Sequence, residues 1–302
     1  NPLIQASIHL RSLNSCFVIM SDASLSAFLG STQVSSLKHV TGTILQICVA
    51  DDRLDDALLK LQDNNIHSLP CWDKEKGEYC GILSVLDIAS FFAHKCNKDV
   101  SSEKMEAFTV RDVLKWRAGE YFLPVPEDTS VKDAITILFN LHRVPLVNPE
   151  TNTLTGMLSQ SDLVRYVASL PADFENWEAL KKKTLEELGL VRGESDTCQV
   201  KSSQTVQEAL KVLSDRNINA VAVTDADGTL LQDFSAANLR KISLIIPSSC
   251  QKLFEPVGDL MATAEPIPAA PPTATLAEIL ALLSTSGVYR IWIINSEGKP
   301  SS

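Results

Sequence analysis

The chain is short of aromatic side chains. Only 6% of its 302 residues are Phe, Trp or Tyr, while 45% are apolar. That aliphatic bias argues against an all-β protein and for a mixed α/β one. Positive charge is also scarce: 27 Lys and Arg stand against 37 Asp and Glu, a formal net charge of −10. Such a chain is a poor general binder of nucleic acid or of an anionic membrane, so any anionic ligand must meet a local basic cluster. No apolar stretch approaches the ~20 residues that span a bilayer; runs such as Ile291-Trp292-Ile293-Ile294 are strand-sized. The seven cysteines are odd in number and contain no C-x-x-C pair. They read as reduced thiols of a cytoplasmic or nuclear protein, not as a disulfide framework or a zinc site. A Gly-rich phosphate loop, a His/Glu metal pair and a nucleophile elbow are all missing, so no catalytic constellation is visible and no metal is required.

What the chain does have is self-similarity, the signature of a repeat architecture. Four segments, beginning near Thr43, Glu120, Thr197 and Ala264, share one grammar. Each opens with a short apolar strand and a polar turn, followed by a helix with apolar residues at three-and-four spacing. Val131, Ala134, Ile135, Leu138 and Phe139 mark that face in the second copy. Asp51/Asp52, Asp128/Thr129, Gln204 and Thr273 lie near the turns that start these helices. A buried strand comes next: Leu69-Pro70-Cys71-Trp72, Val144-Pro145-Leu146-Val147, Val221-Ala222-Val223 and Ile291-Trp292-Ile293. A turn rich in Asp, Asn and Gly leads to a further strand. The closing helix is announced by Ser84…Asp87, Ser159…Asp162 and Ser235…Asn238, one every 75 or 76 residues.

These residues resemble the CBS-domain family. A four-copy chain of this kind is similar to the gamma (nucleotide-sensing) subunit of AMP-activated protein kinase and its fungal and plant relatives. Leu141-His142-Arg143-Val144-Pro145 is the nearest local match, and Gly287-Val288-Tyr289-Arg290 is a similar element. The resemblance implies an α/β fold of four CBS repeats, arranged as two pseudo-twofold pairs in a disc. Repeat 1 is expected over 41–98, repeat 2 over 106–170, repeat 3 over 190–247 and repeat 4 over 256–302. The first pair would cover 41–170 and the second 190–302. Residues 1–40 stay unassigned, although Phe17 to Asp22 faintly suggest a strand entering a helix, and 171–189 form a connector. The fourth copy stops before its last strand and helix, so the chain is expected to be truncated there or completed by another segment. Its start at Asn1 leaves room for a removed targeting segment.

The resemblance also implies a ligand. In that family the last-helix carboxylate holds ribose hydroxyls, and basic residues hold the phosphates of AMP, ADP or ATP. Carried onto this chain, the nucleotide-binding residues are Ser84, Asp87, His142, Arg143, Ser159, Asp162, Ser235, Asn238 and Arg290. The chemistry suits them: a carboxylate accepts two hydrogen bonds from a diol, and a guanidinium fork matches phosphate oxygens. Each also has a plainer reading. Ser then Asp at a helix start is an ordinary capping pattern, and an Arg can serve a structural ion pair. Ser68 and Ala220 stand where copy two has Arg143, Tyr289 stands where the family commonly has His, and Asn238 lacks a charge. Two good sites are therefore expected, not four. The implied partners are the catalytic and scaffold subunits of a protein kinase. Alternatives are an interaction scaffold with degenerate sites, or a regulatory piece of a larger enzyme or transporter. Asp51, Asp52, Asp55 and Asp56 read as a helix start, Asp225-Ala226-Asp227-Gly228 as a hairpin turn, and Lys181-Lys182-Lys183 as a solvated face.

Overall fold

The structure is a computed structural model. It describes residues 23–37, 45–95, 107–117, 122–139, 141–170, 174, 176–191, 197–235, 238, 247–262, 264, 267–285 and 290–301. Phe17 to Asp22, Asn140 and Tyr289 lie outside these.

Among the described residues the strand–helix–strand order is present in all four copies, the third strand in repeats 1 to 3 and the closing helix in repeats 1 and 2. In repeat 1, β1 (Cys48–Val49) leads to α2 (Leu54–Asp63), then β2 (Ser68–Asp73), β3 (Glu78–Ser84) and α3 (Val85–Lys95); α1 (Ala23–Ser31) precedes them. After α4 (Val110–Trp116), repeat 2 supplies β4 (Val125–Pro126), α5 (Val131–Leu138), β5 (Arg143–Val147), β6 (Leu154–Ser159) and α6 (Gln160–Ala168). Next is α7 (Trp177–Lys181). Repeat 3 follows with β7 (Gln199–Lys201), α8 (Val206–Arg216), β8 (Ala220–Thr224) and β9 (Leu230–Ser235). Then α9 (Val257–Met261) introduces repeat 4, with β10 (Ala269–Ala270), α10 (Leu276–Thr285) and β11 (Trp292–Ile293).

The first strand always pairs in parallel with the second, as the intervening crossover helix requires. The second and third form an antiparallel hairpin in repeats 1 to 3. An Asx turn starts each hairpin at the same point. Asp73, Asn148, Asp225 and Asn295 each accept backbone N–H bonds two to four residues ahead through Oδ1. In repeat 4 that turn leads to the Ile294–Pro300 bridge and to buried Ser301. The Asp225 loop is thus a hairpin turn, with Gly228 at φ 91°.

The structure adds an element that the sequence grammar did not contain. The first N–H of a helix has no partner within the helix. In each repeat a carbonyl from a separate segment accepts it: Phe108 for Leu54, Thr32 for Val131, Glu255 for Val206 and Lys183 for Leu276. Two amides of that segment then donate back to the turn before the helix, at 2.7–3.2 Å. These clasps are exchanged between neighbours in sequence. Residues 32–35 clasp repeat 2, 108–111 clasp repeat 1, 183–186 clasp repeat 4 and 255–258 clasp repeat 3.

The chain divides into two compact units accordingly. One contains 46–122 and 198–266; the other contains 1–45, 123–197 and 267–302. Each unit therefore joins alternate repeats, 1 with 3 and 2 with 4, rather than the consecutive stretches 41–170 and 190–302. The physical reason lies in the helices. The apolar residues of α3 and α8 share one core, as do those of α6 and α10 in the other unit. Among the described residues, 107–117 lie in the unit of repeats 1 and 3, and the connector residues 176–189 in the unit of repeats 2 and 4. In that connector Trp177 and Leu180 are buried, while Lys182 and Lys183 face solvent.

Candidate functional site

In repeats 1 and 2 the proposed ligand residues sit where the middle strand, the third strand and the last helix meet. In repeat 2 Arg143 is the direct cross-strand partner of Ser159. Ser159 caps α6, and Asp162 closes a reciprocal capping box: its Oδ2 accepts from the Ser159 N–H at 2.9 Å and hydroxyl at 2.6 Å. The His142 carbonyl accepts the Gln160 N–H at 3.2 Å, which ties the residue before Arg143 to the same helix start. Arg143 and His142 are half-buried. The remaining oxygen of Asp162 faces Arg165, at 3.5 Å on the same helix and 38% exposed.

Sheet register fixes the equivalents. Ser84 pairs with Ser68 and Ser235 with Ala220, so Ser68, Arg143 and Ala220 share one position. In repeat 4 Arg290 lies three residues before Ile293, the partner of buried Ala270, as Arg143 lies three before Leu146, the partner of buried Val125. Counted from these registers, Arg290 falls at the position of Arg143. Both arginines belong to the unit that joins repeats 2 and 4. Moreover α6, which carries Asp162 in its first turn, packs on α10, the helix that precedes Arg290.

The other two motif sites differ. In repeat 1 Asp87 is 2% exposed. Its Oδ2 accepts from the Ser84 N–H and hydroxyl at 2.7 and 2.6 Å, and its Oδ1 is ion-paired with Arg117, the residue that ends α4. Arg117 also donates to Asn217 Oδ1 at 2.7 Å. Nothing in the local sequence marked Arg117; it lies thirty residues beyond Asp87. In repeat 3 Asn238 Oδ1 accepts both Ser235 donors at 2.7 and 2.6 Å, so its one acceptor is used in capping. The same box recurs at Thr109/Asp112, Thr205/Glu208 and Thr275/Glu278, and nearly so at Ser130/Asp133. The pattern is therefore a general helix starter here. Its position opposite the middle strand, not its residues, singles out the three candidates.

One further charge cluster is structural. Arg111 donates to Asp51 at 2.8 Å and to Asp73 at 2.8 Å, and Asp73 is 1% exposed. The Arg111 hydrogen bond outweighs burial and, with the Lys76 and Glu75 amides, holds the Asp73 carboxyl down to about 2. The ordinary carboxylate range lies near 4. A depressed folded value means stability present above pH ~4 and lost as pH falls toward 2. Asp73→Asn should therefore be less stable than the parent at pH 7, and that gap should close between pH 4 and 2 in urea titrations. A gap independent of pH would show that Asp73 acts through its turn alone. Asp52 and Asp55, from the acidic run, are paired with Lys60 and Arg53. Among the described residues no group of three His, Cys, Asp or Glu side chains could hold a metal, and no helix is long and apolar enough to cross a membrane. Cys48, Cys71, Cys80 and Cys198 are free thiols, and burial pushes Cys80 up to about 12. Cys16, Cys96 and the Cys250 side chain lie outside the described residues.

A family profile described as CBS domain matches residues 39–94, 110–169 and 257–301, more than half of the chain. Among curated proteins, SDS23 of Kluyveromyces lactis is 24% identical over 273 residues, which cover 81% of this chain and 53% of that protein. SDS23 of Saccharomyces cerevisiae is 23% identical over 279 residues, covering 82% and 53%. The chain thus spans about half the length of the curated relatives it matches. Among solved structures, a Methanocaldococcus jannaschii protein proposed as an archaeal homolog of g-AMPK superposes with a TM-score of 0.71. It is 13% identical, and the match covers 90% of this chain and 96% of that one. At that identity the likeness is one of fold.

Proposed function

The chain belongs to the CBS-domain family, and from that premise we propose that it is a non-catalytic regulatory protein that binds an adenine nucleotide at the Arg143–Ser159–Asp162 junction. The observation that carries this reading is the cross-strand pairing of Arg143 with Ser159. That pairing puts Arg143 on the strand opposite the residue that caps α6, whose Asp162 meets half-buried Arg165 at the edge of hydrogen-bond range. Ribose hydroxyls would go to Asp162, with Ser159 fixing its orientation, and phosphate oxygens to Arg143. Arg290 would add a second cation from the partner repeat, and His142 a rim contact. AMP, ADP or ATP is the ligand class. A protein kinase complex, with catalytic and scaffold subunits, is the partner class this reading assigns. One nucleotide would favour one arrangement of the chain and a competitor another, and the effect on a partner equals that difference in affinity.

The test is calorimetric titration of the whole chain with AMP, ADP, ATP and adenosine. Micromolar binding of a nucleotide, with adenosine much weaker, is expected. Arg143→Ala should weaken the nucleotide by about 1.5–3 kcal/mol, the worth of a hydrogen bond to a charged group. Unchanged affinity with reduced stability would make Arg143 a structural residue. A second reading, a scaffold with degenerate sites, draws on Asp87 being ion-paired within the chain and on Ser68, Ala220 and Asn238. It predicts no binding of any of the four ligands.

A further inference from the structure

Besides having Ser68 in place of Arg143, the repeat-1 junction differs from the repeat-2 junction in that a charged side chain from another element of the chain covers its carboxylate. Arg117 comes from α4, outside repeat 1's own strands and helices. It is 21% exposed and touches two groups from two different repeats. One is Asp87, 3% exposed at its side chain, at the start of α3. The other is Asn217, which ends α8 in the left-handed region at φ 48°. At the repeat-2 junction the cation paired with Asp162 is Arg165, on the same helix and more exposed. We propose that Arg117 is a resident occupant of the repeat-1 site, closing it to uncharged nucleosides and leaving it open only to a ligand that brings its own anion. This rests on the nucleotide reading above.

The argument is one of charge balance. A ribose diol can reach Asp87 only by displacing the guanidinium. A neutral nucleoside would then leave Arg117 in a mostly buried place without its carboxylate, which is very unfavourable for a charged group. A nucleoside phosphate supplies two things at once: hydroxyl donors for Asp87 and phosphate oxygens for Arg117. The two charges separate and each meets a new counterpart. Arg117 therefore acts as a specificity-determining residue that reads the presence of phosphate, while repeats 1 and 3 contribute no arginine at the Arg143 position.

The experiment uses the full chain carrying Asp162→Asn, so that the repeat-2 junction is silenced. Arg117→Ala and Arg117→Gln are added separately. Alanine leaves room for water at Asp87, and glutamine keeps a neutral donor should alanine fail to fold. Each protein is titrated with adenosine and with AMP. Adenosine binding should rise about tenfold or more on removal of the guanidinium, the scale of one charge-assisted hydrogen bond. The preference for AMP over adenosine should shrink by a similar factor. Adenosine that binds equally well with Arg117 present and absent overturns the proposal. If the unmodified chain binds AMP through Asp162 but the Arg117 variants gain nothing for adenosine, this inference falls and the nucleotide reading stands. If neither these variants nor the unmodified chain binds either ligand, both fall.

Discussion

Replacing Asp87 with alanine should cost about 3–5 kcal/mol of folding stability, the range for breaking a buried ion pair by removing one partner. Asp162→Ala at the equivalent place should cost only about 1–2 kcal/mol, the scale of a lost helix-start bond. Both carboxylates accept the same two donors, from Ser84 or Ser159. They differ in the second oxygen. At Asp87 it meets Arg117, 21% exposed; at Asp162 it meets Arg165, 38% exposed and more open to water. Most of the Asp87 cost thus comes from a buried guanidinium deprived of its carboxylate and not from the worth of the pair. The measurement is the urea midpoint and slope of each variant. Equal losses at the two positions would show that Arg117 relaxes into solvent and holds nothing.

Phe91→Ala should be as damaging, about 3–5 kcal/mol. Helix α3 is buried on every side from Val85 to Ala93 because strand β3, helix α4 and helix α8 all pack against it. Phe91 is 1% exposed and contacts the rings of Phe108 at 4.8 Å, Trp116 at 5.7 Å and Phe92 at 6.2 Å, each edge-on. Such pairs add to the area term. Phe91→Leu keeps much of the volume and should lose about 1.5 kcal/mol or less. Denaturant titrations of the two variants give the comparison. A loss well under the ~3 kcal/mol expected for alanine would mean that this corner collapses around the missing ring.

The parts that were legible in the sequence are those written in side-chain pattern. The face Val131, Ala134, Ile135 and Leu138 is the buried face of α5, and the strands Leu69–Trp72, Val144–Val147 and Val221–Val223 lie within β2, β5 and β8. The even spacing of Ser84, Ser159 and Ser235 does mark equivalent points. The clasps were hidden because backbone amides and carbonyls make them, and main-chain bonds leave little trace in residue type. The Thr109–Asp112 capping pair within one clasp looks like any helix start. The partnering of alternate repeats was hidden because helix faces as aliphatic as those of α3 and α8 fit many neighbours. Arg117 was missed because its meaning depends on Asp87 and Asn217, which are far from it along the chain. For the ligand residues, position relative to the sheet separated Asp87, Asp162 and Asn238 from the other capping pairs, and the Arg117 contact separated Asp87 from Asp162.

The alternation of repeats has a consequence for how the chain comes to be folded. Residues 46–122 bury their helices against 198–266, so repeat 1 leaves the ribosome long before its companion exists. At ordinary synthesis rates the gap is roughly 10–30 s, far longer than the time a helix or hairpin needs to form. During that interval the apolar surface of α3, with Phe91 and Phe92, has no native cover from α8. The contacts that finally close each unit are among the most distant in the chain, which slows the closing step. A nascent chain of this kind is a natural client for chaperones until residue 266 has emerged, and its first repeat alone should be the species most prone to aggregate.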